Sequence, residues 1–91
     1  MSKASNMMTF DVELGDGYMP EKEWQDRVKG ILKSELKRRN LSYKQLAEKL
    51  GEIGVQETEL NIKNKISRGG FTAVFFVQCL VAIGAENVNL R

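Results

Sequence analysis

The residues best suited to recognition chemistry form a short polar run, namely Asn61, Lys63, Asn64 and Lys65. An asparagine amide can form paired hydrogen bonds with adenine, and a lysine ammonium can donate to guanine or to a phosphate oxygen. A solvated helix face has a similar composition, so the interpretation depends on the elements that hold the run. The two interpretations are nucleic-acid recognition and simple exposure to water.

Side chains for catalysis or metal binding are scarce. Histidine is absent and Cys79 is the single cysteine, so the commonest general base and the commonest zinc ligand are missing. One thiol completes neither a metal site nor an internal disulfide, and no phosphate loop or nucleophile motif occurs. We therefore predict a protein that is not an enzyme and uses no cofactor, with Cys79 as a small buried side chain.

Positive charge is concentrated in the middle of the chain. Residues 21–70 contain twelve Lys and Arg against eight Asp and Glu, a difference of +4, whereas residues 1–20 contain one against three. This distribution favours a polyanionic partner. Ninety-one residues suit one domain, and neither a secretory signal nor a membrane-spanning stretch is recognisable, so we expect a cytoplasmic protein.

The spacing of apolar residues predicts an all-α fold, a compact four-helix domain at residues 21–91 that follows a mobile N-terminal arm at residues 1–20. The first helix runs from Glu21 to about Arg39, and Trp24 is expected to anchor it in the core. Gly30 lies inside this helix and suggests close packing there, because glycine costs about 1 kcal/mol relative to alanine.

A row of lysines follows one face of this first helix. Lys29, Lys33 and Lys37 are four residues apart, so their like charges lie close together. A bound anion would relieve the repulsion. The alternative is a solvated face that is partly neutralised by two ion pairs, one between Glu23 and Arg27 and one between Glu35 and Arg39.

The second helix is predicted at Tyr43 to Leu50, because Ser42 and Gln45 form a capping-box signature and Gly51 is a natural stop. A long turn follows, and a third helix is expected to begin near residues 56–58 and to end at residues 69–70.

In this third helix Ile62 and Ile66 should mark the buried side. Leu60 points outward in this arrangement, where it could meet a thymine methyl group, but packing under the long turn is the favoured interpretation. Glu57 and Glu59 are expected in the first turn, where they would oppose phosphates if that end of the helix approached DNA.

The fourth helix, from Ala73 to Ile83 after a Thr72 cap, contains Gln78 as its single polar residue. A helix that is apolar on nearly every face needs cover all round. The remaining cover would come from the tail, Ala85 to Leu90, or from a second copy of the chain, so a homodimer is expected.

A family resemblance is visible in two segments. Residues 42–51, Ser-Tyr-Lys-Gln-Leu-Ala-Glu-Lys-Leu-Gly, are similar to the first helix and turn of the helix-turn-helix motif in the Cro and cI repressor-like family. Ile66-Ser67-Arg68-Gly69, then Phe71 and an apolar helix that ends at Gly84, resembles the end of that family's recognition helix and its next core helix. Two to four extra residues after Gly51 indicate a short, divergent bacterial branch.

The resemblance implies a domain that binds double-stranded DNA, with the start of the second helix on phosphates and the third helix in the major groove. The implied DNA-binding residues are Ser42, Lys44, Gln45, Asn61, Lys63, Asn64, Lys65 and Arg68. For Ser42 and Gln45 the alternative role is capping alone.

Our leading hypothesis is a dimeric, sequence-specific transcriptional regulator. The alternative is a protein-interaction module that keeps the fold but has lost DNA binding, and that engages a protein partner through the acidic start of the third helix and the apolar fourth helix.

Overall fold

Helices provide all the regular structure of residues 20–90, the part of the chain that the computed structural model describes. These residues contain no strand, so the predicted all-α fold is confirmed. The proposed N-terminal arm lies outside the described residues, apart from Pro20. The helices are α1 (Glu21–Arg38), α2 (Tyr43–Glu52), α3 (Glu59–Arg68) and α4 (Ala73–Ala82).

The core lies where α2 packs against both α3 and α4, and α1 packs against the same two helices. Each helix contributes buried residues four positions apart, because residues separated by about one turn lie on one face. The buried apolar residues are Leu32, Leu36, Leu46, Leu50, Ile62, Ile66, Phe75, Cys79 and Ile83.

A hydroxyl side chain begins each of the last three helices. Ser42, Thr58 and Thr72 each accept a hydrogen bond from the backbone N–H three residues further on, at 3.0 to 3.1 Å. The Ser42 N–H also donates to Gln45 Oε1 at 2.8 Å, so the predicted capping box is confirmed. A cap of this kind stabilises a helix by about 1 kcal/mol.

The turn between α2 and α3 differs from its prediction. Gly51 lies inside α2, which ends at Glu52, and the backbone reverses at Gly54 with a φ of 85°. Glycine adopts this left-handed conformation without the clash that a Cβ would introduce. The third helix begins at Glu59, since Thr58 is its capping residue, and Glu57 therefore precedes the helix.

Two predictions for α1 are wrong. Trp24 is half exposed, because the residues that α1 buries begin at Leu32, about two turns further along the helix. Its ring lies 5.6 Å from the Arg27 guanidinium. At Gly30 no atom of the described residues outside the adjacent turns of α1 lies within 4 Å of the position of a Cβ, so close packing does not explain this glycine. The close approach occurs at Gly69, where a Cβ would lie 3.2 Å from the carbonyl oxygen of Gln25.

Glu35 is the one charged residue that is buried among residues 20–90. Arg38 and Arg39 both donate to its Oε1, at 2.6 and 2.5 Å, so the predicted pair between Glu35 and Arg39 is confirmed. The predicted pair between Glu23 and Arg27 does not form. Arg27 donates instead to the carbonyl oxygen of Leu90 at 3.2 Å.

Cys79 is fully buried, as predicted. Burial raises the pKa of its thiol to about 12, and the nearby carboxylate of Glu57 adds to the increase. Since the thiolate is the nucleophilic form of cysteine, this side chain is unreactive at neutral pH.

Neither a membrane-spanning helix nor a metal-binding cluster is found in the described part of the chain. None of its helices has both the length and the apolar character needed to cross a bilayer. The same residues contain no group of three or more acidic or cysteine side chains placed to hold a metal ion.

Candidate nucleic-acid interface

The outward side of α3 is defined by its buried side. Ile62 and Ile66 are completely buried, and at about 100° per residue the side of the helix opposite them carries Leu60, Asn64 and Arg68. All three are exposed. Leu60 is 64% exposed, so its predicted packing under the long turn is wrong. Val55, which belongs to that turn, packs against the core instead.

Three further exposed residues flank this group, with Asn61 on one side and Ser67 and then Lys63 on the other. We define the reading face as Leu60, Asn61, Lys63, Asn64, Ser67 and Arg68. It presents two amides, two cations, a hydroxyl group and one branched alkyl group, and it contains no carboxylate. Four of the eight predicted DNA-binding residues lie on it.

Glu57 is turned away from the reading face. Its carboxylate is 12% exposed and forms an ion pair with the Lys65 ammonium, which also lies 4.7 Å from the centre of the Phe75 ring. Lys65 is therefore engaged inside the domain, and its predicted contact with DNA would require it to leave Glu57. Helical spacing does not indicate this pair, because the partners are eight residues apart and Glu57 precedes the helix.

Glu59 lies beside a groove instead of on the reading face. The groove is formed by the end of α1, the start of α2 and the first turn of α3. Lys33 and Lys37 border it, and neither forms an ion pair with any residue between 20 and 90. The residues that line the groove are Lys33, Leu36, Lys37, Asn40, Leu41, Ser42, Tyr43, Gln45 and Glu59.

The start of α2 opens into this groove. The capping box satisfies the N–H groups of Ser42 and Gln45, whereas those of Tyr43 and Lys44 fall in the first turn, where a helix has no internal acceptor. The positive end of the helix dipole, two lysines and the Glu59 carboxylate thus border one space, in which positive charge exceeds negative. Lys44 itself is exposed.

The third lysine of the predicted row lies elsewhere. The ammonium of Lys29 donates to the carbonyl oxygen of Ser67 at 3.1 Å. Because Ser67 belongs to the last turn of α3, this contact and the close approach at Gly69 connect that end of α3 to α1. Of the three lysines in the row, Lys29 therefore connects α1 to α3, whereas Lys33 and Lys37 border the groove.

One face of α4 is left uncovered by residues 20–90. Val74, Val77 and Val81 are 66%, 55% and 58% exposed, and α4 has no charged residue. The tail does not cover them, since it runs against α1, where Arg27 holds the carbonyl oxygen of Leu90. The prediction that the tail could shield α4 is wrong.

The fold and the site define a small all-helical domain with an exposed polar helix beside a lysine-bordered groove. Residues 24–88 match the family described as Domain of unknown function (DUF6471), and the chain belongs to that family. No curated protein and no solved structure matches the chain. The resemblance to Cro and cI repressors remains a prediction.

Proposed function

We propose that this protein binds double-stranded DNA in a sequence-specific manner and acts as a small transcriptional regulator, with α3 in the major groove. The observation that carries the proposal is the reading face, which has groups suited to base edges and phosphates and no carboxylate. Of the two acidic residues that would have opposed DNA, Glu57 supports the proposal by its position, and Glu59 would face a phosphate bound at the start of α2. Glu57 is paired with Lys65 and Glu59 borders the groove.

The start of α2 supplies the second part of the proposed interface. Ser42, Lys44 and Gln45 are exposed at this end of the helix, and backbone N–H groups at a helix start are effective phosphate donors. In a helix-turn-helix protein this contact fixes the orientation of the following helix in the groove. A role in capping does not prevent Ser42 and Gln45 from approaching a phosphate.

The proposal is for binding without catalysis and without a cofactor, in the cytoplasm. It includes a homodimer in which the exposed valine face of α4 packs against the same face of a second copy. A two-fold interface places a surface against itself, so a surface without charges avoids like-charge repulsion. Two copies would also read two half-sites of a symmetric DNA sequence.

The first experiment measures binding of the purified full chain to mixed duplex DNA at two salt concentrations. If about four phosphates are contacted, affinity should fall about a hundredfold between roughly 50 and 200 mM salt, because counterions are released on binding. Absence of DNA binding would reject the proposal. If the purified chain binds no DNA and captures a protein partner, the protein-interaction module is favoured instead.

The second experiment uses matched charge reversals on one helix. Lys44→Glu lies in the first turn of α2, and Lys49→Glu makes the same change in its last turn. We expect Lys44→Glu to weaken binding about tenfold and to lower the salt slope by about 1, while Lys49→Glu changes affinity much less. Equal effects of the two variants would indicate a non-specific response to charge and would contradict the assigned orientation.

A further inference from the structure

We propose that Leu60 and Asn64 make the reading face selective for two A·T base pairs that are adjacent or one pair apart, with Leu60 on a thymine methyl group and Asn64 on an adenine. This inference rests on the proposed DNA-binding function and adds the class of base pair that is recognised. Its first support is where Leu60 and Asn64 lie on α3. The two residues are four apart, on the side of α3 opposite the buried Ile62 and Ile66.

Leu60 is chemically unusual at this position. It is an alkyl side chain, 64% exposed, among amides and cations, and it cannot donate or accept a hydrogen bond. The apolar feature that base pairs present in the major groove is the C5-methyl group of thymine. Contact with that methyl group would remove apolar surface of both partners from water, which is favourable.

Asn64 has complementary chemistry on the same line of the helix. Its side-chain amide has donors and an acceptor, which match the N7 acceptor and N6 donor of adenine in a bidentate contact. Four residues of helix correspond to about 6 Å of rise. Stacked base pairs are about 3.4 Å apart, so the two side chains reach adjacent or next-but-one pairs.

The flanking cations have a different role in this arrangement. Lys63 lies at the side of the reading face and Arg68 is the last residue of α3, and from both positions a long cationic side chain can reach the phosphates that border the groove. Phosphate contacts position a protein on the duplex and carry no sequence information directly. Selectivity is therefore assigned to the central line, which contains Leu60 and Asn64.

The test begins with selection of bound sequences from a random DNA pool by the full chain. In the selected site, each thymine is then replaced singly by deoxyuridine, which removes only the methyl group, and each adenine by 7-deazaadenine, which removes only the N7 acceptor. We expect one deoxyuridine to weaken wild-type binding about threefold to fivefold, as loss of one buried methyl group predicts. One 7-deazaadenine nearby should also weaken it.

Variants assign each effect to a residue. Leu60→Ala should bind the thymine and deoxyuridine sites equally, Leu60→Met should retain the preference, and Asn64→Ala should lose the response to 7-deazaadenine. The control, Lys63→Ala, should weaken binding to all these duplexes by the same factor. Thermal unfolding checks that each variant folds, which is expected since all three residues are exposed.

The outcomes separate this inference from the function on which it rests. If the wild-type chain selects no sequence and binds no duplex, the proposed function fails and this inference fails with it. If it binds DNA but tolerates deoxyuridine at every position, or if Leu60→Ala keeps the preference for thymine, only the assignment of Leu60 and Asn64 is overturned.

Discussion

Glu57 and Lys65 determine the electrostatics of α3 through a single contact. The Glu57 carboxylate is almost buried, and its ion pair with Lys65 fixes the long turn to the core side of the helix. The pair removes a negative charge from the surface proposed to face DNA, and it also removes a positive one. Of the neighbouring lysines on α3, Lys63 is exposed and Lys65 is partly buried.

We therefore predict different effects of the same charge reversal at these two lysines. Lys65→Glu places a second carboxylate beside Glu57 and should lower the free energy of unfolding by about 2 to 3 kcal/mol. Lys63→Glu should change it by less than about 0.5 kcal/mol, because surface substitutions away from specific contacts have small effects. Urea-induced unfolding followed by circular dichroism measures both values.

Combination with Glu57→Lys supplies the control for Lys65→Glu, since reversing both partners restores opposite charges at this site. The double variant should recover part of the lost stability. If Lys65→Glu is as stable as the wild type, the pair contributes nothing to the turn, and the position of Glu57 needs another explanation.

At the scale of the elements, α1 contains a glycine, Gly30, that lowers the stability of the helix. Gly30 lies in the interior of an 18-residue helix, and a Cβ at this position would have no neighbour within 4 Å. Gly54 has the opposite character, because its φ of 85° lies in the left-handed region that side chains disfavour. The backbone conformation therefore favours glycine at position 54 and does not require it at position 30.

Substitution of each by alanine should consequently have opposite effects. Gly30→Ala should stabilise the protein by about 0.5 to 1 kcal/mol, because alanine restricts the unfolded chain and favours the helix. Gly54→Ala should destabilise it by about 1 kcal/mol or more. Thermal unfolding of the two variants is the measurement, and a destabilised Gly30→Ala would indicate a contact at this position that the single chain does not contain.

For the whole molecule, the main unsatisfied feature is the valine face of α4. A helix with no charged residue has its inner face in the core and its outer face in water, whereas a helix of this composition is normally covered on all sides. The tail contacts α1 and leaves Val74, Val77 and Val81 exposed. A second copy of the chain is the cover that we propose.

Val77→Glu should therefore convert a dimer into a monomer, since the substitution places two carboxylates against each other across a two-fold interface. Sedimentation velocity at micromolar concentration distinguishes the two states. The control is Ile53→Glu, which changes an exposed apolar residue outside α4 and should leave the dimer intact. A wild-type chain that sediments only as a monomer would contradict the proposed dimer.

The parts of this protein that were predicted correctly depend on residues close together in the chain. The capping box of Ser42 and Gln45, the buried pair Ile62 and Ile66, and the ion pair between Glu35 and Arg39 each involve partners three or four residues apart. The helix brings such partners close together, so their spacing favours the contact, although Glu23 and Arg27, also four apart, form no pair because Arg27 donates to Leu90.

The reading face was predictable in part for the same reason. Helical periodicity identified Asn64 and Lys63 as outward residues once Ile62 and Ile66 were assigned to the core. The separation of Lys65 from Lys63 was not predictable, because it depends on Glu57 and Phe75, which lie outside α3.

The sequence by itself therefore determined the four helices, the caps Ser42 and Thr72, and the buried residues of α2 and α3, since these follow from interactions within one or two turns. Tertiary structure alone decided that Trp24 is half exposed, that no other described element packs on Gly30, and that Leu60, on the predicted outer side, is not covered by the long turn. The physical reason is that burial depends on how helices are placed relative to one another. That placement results from packing among residues far apart in the chain, which local spacing does not encode.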